Sequence, residues 1–216
     1  MRKYKVSSLD EAGKFFRMIL EGLANQERIN VGLPGGRSIV PLLKEMSNTN
    51  QEILSKCYFY LVDERAEGDK NEQTLRDNFL DEALSSGKIK QEQLIFPKFE
   101  GDVSTDLKNY ADTVPEKFDI LVFGVGEDGH VAAMYPNSPL LNSEDLVVYM
   151  DDSPKPPPKR YSMTFKAFNK DAIVILLFFG DGKRDAFKSF VEGESDSCPA
   201  SKFDEYENLH VITDLD

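Results

Sequence analysis

The sequence predicts a three-layer α/β fold, a mostly parallel sheet with helices on both faces. Three observations lead there. Short apolar runs alternate along the chain with stretches of helical period. Several runs are apolar nearly throughout, as strands covered on both faces must be. Polar, mostly glycine-bearing clusters follow three of the runs, PGGRS, DER and GVGEDGH. In open α/β sheets, ligands bind beyond the carboxyl ends of the strands.

The elements follow in order. Ser8 and Glu11 have capping-box spacing, and Ala12, Phe16, Ile19 and Leu23 then recur at helical period. Ile29–Leu33 reads as a strand ending in PGGRS. Ile39, Leu42, Leu43 and Met46 predict a short helix. CYFYLV, 57–62, is a strand entering an acidic loop, DERAEGDKNEQ. A helix is expected over 74–84, a short strand at 94–96, and a helix around Leu107 and Tyr110. FDILVFG, 118–124, is a clear strand. Asn137, Ser138 and Pro139 mark a turn, and 146–150 reads as a strand. SPKPPPKR is too proline-rich for a helix or a central strand. Strands are expected at 161–165 and 172–179, a helix over 183–191, and a last, edge strand at 210–213.

Composition bounds the function. At roughly 150 residues per domain, 216 residues predict a single domain over 1–216. Hydrophobic residues make up 40% and charged residues 30%, an ordinary globular balance. Lys and Arg number 26 against 38 Asp and Glu, a formal charge of −12. That balance argues against broad nucleic-acid or anionic-membrane binding, which needs a basic face. It leaves room for a small anion held by local cations. Two cysteines without metal-type spacing fit a reducing compartment. The first 16 residues show no signal-peptide core, and the longest apolar run, 172–179, is too short to span a bilayer. The expectation is a cytoplasmic protein.

GVGEDGH, 124–130, contains G-x-G-x-x-G after a strand, formally the dinucleotide fingerprint. That motif needs a following helix, and Pro136 and Pro139 interrupt this one early. The second reading starts from His130, one of only two histidines. It stands two residues after Asp128, and a carboxylate can fix a histidine's tautomer and raise its basicity. Residue types alone leave a proton-transferring histidine and an idle loop histidine both open. In GLPGGRS, the backbone N–H groups and the Ser38 hydroxyl could hold a phosphate or an oxyanion, although no Walker lysine follows. DER ends a buried strand. Arg160 follows a stiff proline segment, and Lys183 stands at another strand-to-helix turn. Together these two supply local positive charge for an anionic substrate.

The order GG-S, DER, GxGxDGH, PPPxR and GxxK resembles the 6-phosphogluconolactonase family over nearly the whole chain. GVGEDGH with Tyr135 and Pro136, and then PKPPPKRYSMTF, is the specific part. CPAS at 198–201 resembles a late stretch of the same family. The resemblance implies a fold related to the sugar-phosphate isomerases and glucosamine-6-phosphate deaminase. It implies hydrolysis of 6-phosphoglucono-1,5-lactone without a metal or organic cofactor, acting on a small phosphorylated sugar lactone as a monomer or homodimer. His130 corresponds to the family's catalytic histidine, and Asp128 belongs to its motif. Asp128 or Asp63 would orient or polarise it. Arg65, Arg160 and Lys183 match cations around the phosphate or substrate, and Gly35, Gly36 and Ser38 match the glycine loop. The family's G-G-S-T-P is here GGRSI, which keeps a hydroxyl at Ser38 but puts a bulky Arg37 before it and loses the proline. Glu67 and Gly68 stand where the family has V-P after DER. Its later Ser–Asn pair falls on Thr74–Leu75 or, with a gap, on Asp77–Asn78.

Two rivals follow. The deaminase carries D-G-H-I-A-F-N-E-P, with a carboxylate where this chain has Tyr135. A non-catalytic sugar-phosphate sensor would keep the cations and discard the His130–Asp128 pair. No G-x-S-x-G elbow supports a covalent serine mechanism.

Overall fold

A chain segment that is apolar at successive positions must bury both of its faces, and the runs at 57–61, 120–124 and 173–178 do so inside a parallel sheet. The computed structural model describes residues 2–193 and 195–216. In chain order these form β1 (Arg2–Lys5), α1 (Leu9–Gly22), β2 (Ile29–Leu33), α2 (Val40–Met46), α3 (Gln51–Leu54), β3 (Cys57–Leu61), β4 (Asp63–Arg65), α4 (Asn71–Leu75) and α5 (Asp81–Ser85). The remainder are β5 (Leu94–Ile95), α6 (Val103–Ala111), β6 (Ile120–Gly124), β7 (Val147–Met150), β8 (Arg160–Met163), β9 (Ile173–Phe178), α7 (Arg184–Glu192) and β10 (Asn208–Thr213).

Seven strands form one all-parallel sheet in the order β1-β10-β9-β6-β2-β3-β5. Side chains alternate between two cores. In β9, Ile175 and Leu177 join Phe16 and Leu20 of α1 and Leu42 and Leu43 of α2. Val174, Leu176 and Phe178 join Phe187 and Phe190 of α7 and Tyr110 of α6 on the opposite face. Helices therefore cover both faces, as expected. The chain winds outward from β2 through β3 to β5, then returns to place β6 on the other side of β2. The winding reverses between β2 and β6, which is where such sheets open a crevice at their carboxyl ends.

Several boundaries differ from the sequence expectation. The strand expected at the edge, 210–213, is β10 over 208–213 and lies inside the sheet, between β9 and β1. The edge is β1, whose sequence RKYK is largely exposed and too polar to announce a strand. The helix expected over 74–84 starts at Asn71 and relaxes into a π-turn over Arg76–Leu80 before α5. The strand expected at 161–165 is β8, which ends at Met163 and gives way to a short turn of 3-10 helix.

DER is not a solvated loop. It is β4, the edge of a second, antiparallel sheet in the order β4-β8-β7. Val62 joins the two sheets. Its N–H donates to the Leu33 carbonyl of β2 (3.0 Å), and its carbonyl accepts from Met163 N–H of β8 (2.8 Å). This switch of partners turns Asp63–Arg65 across the mouth of the crevice, with Arg65 directly opposite Arg160.

Candidate active site

The loops after β2 and β6 form the floor of the crevice. Gly35 lets the first loop pass Asn71, because a Cβ at Gly35 would lie 2.1 Å from Asn71 Oδ1. Gly36, at φ +83°, turns the chain into Arg37–Ile39 and then α2. After β6, Gly126 leaves room for the site itself. A Cβ there would lie 2.0 Å from His130 Nδ1 and 2.6 Å from Asp128 Oδ1. Gly129, at φ +83°, passes Cys198 Sγ, which a Cβ would approach to 2.9 Å.

Asp128 Oδ1 lies 2.5 Å from His130 Nδ1 and also accepts from the His130 N–H at 3.3 Å. Burial pushes the Asp128 carboxyl up, but the hydrogen bond and charge of His130 pull harder and hold it well below the usual range. Of the two carboxylates that could orient His130, Asp128 is therefore the one bonded to it. Among the described residues, none hydrogen-bonds the imidazole's second nitrogen, Nε2. The Tyr135 ring leans against the imidazole, with centroids 4.8 Å apart, and its hydroxyl accepts from Ser153 Oγ at 2.9 Å. Burial pushes the Tyr135 phenol above its ordinary pKa.

Asp63 is buried and takes a different role. Its carboxylate lies 3.6 Å from Arg160 Nη1, and its carbonyl accepts from Asn71 Nδ2 at 3.0 Å. Burial raises its pKa, against the pull of Arg160 and then of His130. Arg160 also donates weakly to the carbonyls of Lys155 and Pro156, at 3.3 Å each. Its Nε, like that of Arg65, is buried without a hydrogen-bond partner among the described residues.

Glu64, the middle residue of DER, faces away from the chemistry and organises it. Its carboxylate accepts from the backbone N–H groups of Arg65 and Asn71 at 2.7 Å and of Glu72 at 2.9 Å. It thereby fixes the start of α4 and the Asn71 side chain. The asparagine reaching the crevice is Asn71, whereas Asn78 donates to the Thr74 carbonyl.

The crevice has two adjoining halves that share Gly35, Gly36, Gly124, His130 and Lys155. One, of about 250 Å³, contains Asp63, Arg65, Asn71, Tyr135 and Arg160. The other, of about 290 Å³, contains Arg37, Ser38, Glu127 and Lys183. The structure thus gathers all the expected site residues at one end of the sheet, while dividing Arg160 from Lys183. A third hollow of about 630 Å³ runs from Arg37 and Arg65 along α4 to Asp77.

Four contributors escaped the sequence reading: Lys155, Tyr135 as a wall of the site, Asn71 and Glu64. Lys155 Nζ lies 3.6 Å from Asp128 Oδ1. A lysine set rigidly among prolines was its only signal. Among the described residues, no three His, Cys, Asp or Glu side chains cluster as metal ligands. Nor is any described helix long and apolar enough to cross a membrane.

Comparison with known proteins shows the family and the fold. Residues 7–211 fit the family model for glucosamine-6-phosphate isomerases/6-phosphogluconolactonase. A 6-phosphogluconolactonase of Borreliella burgdorferi is 32% identical over 213 residues, spanning 94% of this chain and 90% of that protein. The crystal structure of Thermotoga maritima 6-phosphogluconolactonase superposes with a TM-score of 0.82 at 22% identity, covering 99% and 98% of the two chains. A monomeric glucosamine-6-phosphate deaminase superposes at 0.81 with 18% identity, covering 99% and 97%. At these identities the two structural matches establish the fold, which lactonase and deaminase share.

Proposed function

The chain belongs to the family of glucosamine-6-phosphate isomerases and 6-phosphogluconolactonases, and we propose that within it the chain is a lactonase, hydrolysing 6-phosphoglucono-1,5-lactone to 6-phosphogluconate. One observation carries the choice. The His130–Asp128 pair is intact, while the position of the deaminase carboxylate is held by Tyr135, a phenol with its pKa pushed further up. Ring opening and isomerisation of an amino sugar need an acid there that is ionised at neutral pH. Adding water to a lactone does not. The intact pair equally disfavours a sensor.

In this reading Asp128 holds the imidazole by Nδ1 and leaves Nε2 for the reaction. His130 takes a proton from water as the water oxygen attacks the carbonyl carbon. The oxyanion then collapses, the bond to the ring oxygen breaks, and His130 returns the proton to that oxygen. No organic cofactor or metal enters. Asp63 acts at one remove, holding Arg160 in the wall. Gly35, Gly36, Ser38 and Lys183 receive the phosphate, with Arg160 and Arg65 bordering it from the adjoining half. A single domain, monomeric or homodimeric and cytoplasmic, completes the proposal.

The test is a lactonase assay on purified protein, run fast enough to subtract spontaneous hydrolysis, alongside ammonia release from glucosamine 6-phosphate. Lactone turnover without ammonia is expected. Robust ammonia release with no lactonase activity above background would overturn the assignment.

A further inference from the structure

Arg37, the bulky residue of the glycine loop, stands at the lip of the half-crevice holding Ser38 and Lys183. The backbone places it there firmly, since it opens the turn Arg37–Ile39 directly after the left-handed Gly36. Its side chain is exposed and, among the described residues, makes no hydrogen bond or ion pair. Most other arginines whose chemistry could matter here are engaged: Arg160 with Asp63, and Arg65 with the Asp69 carbonyl at 2.8 Å.

Three cations, Arg37, Lys155 and Lys183, border this one cavity of about 290 Å³. The carboxylates nearby are Glu127 and Asp128, and Asp128 is already committed to His130. Burial, together with the repulsion of Lys155 and Arg37, holds the Lys183 ammonium below its ordinary pKa, even though Glu127 and Asp128 oppose the shift. Crowding like charges costs free energy, which Glu127 and the Lys155–Asp128 contact at 3.6 Å offset in part. A ligand carrying nearly two negative charges would recover it, and a phosphate monoester does so at neutral pH.

Building on the lactonase reading, we infer that Arg37 is a specificity-determining residue, a guanidinium that closes on the substrate phosphate opposite Lys183 and sets the preference for phosphorylated over plain lactones. A guanidinium can offer two parallel N–H donors to phosphate oxygens, which the family's serine at this position cannot. Arg37 replaces a short hydroxyl with reach and charge.

The test compares wild type with Arg37→Ser, Arg37→Lys and Lys183→Ala on 6-phosphogluconolactone and on unphosphorylated gluconolactone. Charge-assisted hydrogen bonds to phosphate predict a KM for the phosphorylated lactone raised about 10- to 100-fold in Arg37→Ser. Its kcat should stay within about threefold, turnover of plain gluconolactone should be unchanged, and Arg37→Lys should lie between. An Arg37→Ser enzyme that keeps its preference for the phosphorylated lactone overturns the assignment, and so does one that loses activity equally on both substrates. Binding of inorganic phosphate and glucose 6-phosphate, measured by calorimetry, separates this inference from the lactonase reading. If wild type turns over no lactone, the function falls. The role of Arg37 still stands or falls on whether Arg37→Ser weakens both ligands.

Discussion

Adding one methyl group at Gly126 should stop the reaction while leaving the fold in place. The backbone at Gly126 is not left-handed, so alanine is conformationally acceptable there. The obstacle is local. The new Cβ would sit 2.0 Å from His130 Nδ1 and 2.6 Å from Asp128 Oδ1. Ordinary contact begins at roughly 3.5 Å, so the imidazole must retreat by about 1.5 Å. The 2.5 Å bond to Asp128 cannot survive that displacement unless the carboxylate moves with it. A misplacement of about 1 Å costs on the order of 100-fold in rate, or about 2.7 kcal/mol of barrier. Overpacking of this kind costs about 1–3 kcal/mol of stability, which for a chain of this size lowers Tm by no more than roughly 10 °C. The assay is initial-rate lactone hydrolysis on Gly126→Ala, paired with a thermal melt. Gly22→Ala is the control. Nothing lies within 4 Å of its Cβ at the end of α1, and helix propensity predicts a gain of about 0.5–1 kcal/mol with unchanged activity. A folded Gly126→Ala enzyme with kcat/KM within threefold of wild type would refute the reasoning, because the geometry of the pair would then not limit turnover.

Three further outcomes are expected. His130→Ala should lose about 100- to 10,000-fold in kcat, whereas His210→Ala should keep it, since His210 stacks on Tyr4 of the neighbouring strand and lies tilted against Phe15 of α1; equal losses would sink the assignment. Glu64→Ala leaves three backbone N–H groups without their carboxylate, and bonds of that kind predict at least about 3 kcal/mol lost in urea unfolding, with a change below 1 kcal/mol counting against its anchoring role. Asp128 has a pKa below its unfolded value of about 3.9, so its contribution is present above that pH and lost as acid overtakes the depressed value. The stability gap between wild type and Asp128→Asn should therefore close as the pH falls below the ordinary carboxylate range; a gap that persists unchanged into strong acid would point to another group.

The parts of the fold legible in the sequence were those that bury themselves. β3, β6 and β9 announce their positions because strands covered on both faces must be apolar nearly throughout. β1 could not, since RKYK is an exposed edge whose place depends on pairing with a strand more than 200 residues later. β4 could not either. Three charged residues carry no period, and their strand character comes from Val62 changing partners between sheets. In the site, His130, Asp128 and the glycines stood out through motif and resemblance. Glu64 looked like one more surface charge, and its burial follows from a fold-level contact with the start of α4 that no local spacing encodes.

The facing of Arg65 and Arg160 across β4 and β8 has a practical side. Like charges directly opposite one another weaken a strand pair. In the proposed substrate site, an anion between them would do more than bind, since it would also relieve a repulsion working against the small sheet itself. By mass action, a ligand at 100 times its Kd adds about 2.7 kcal/mol to the folded state. On the proposed function, melting curves taken in phosphate buffer would report occupancy as much as intrinsic stability. A titration of Tm against phosphate becomes a binding isotherm, readable without substrate, label or turnover.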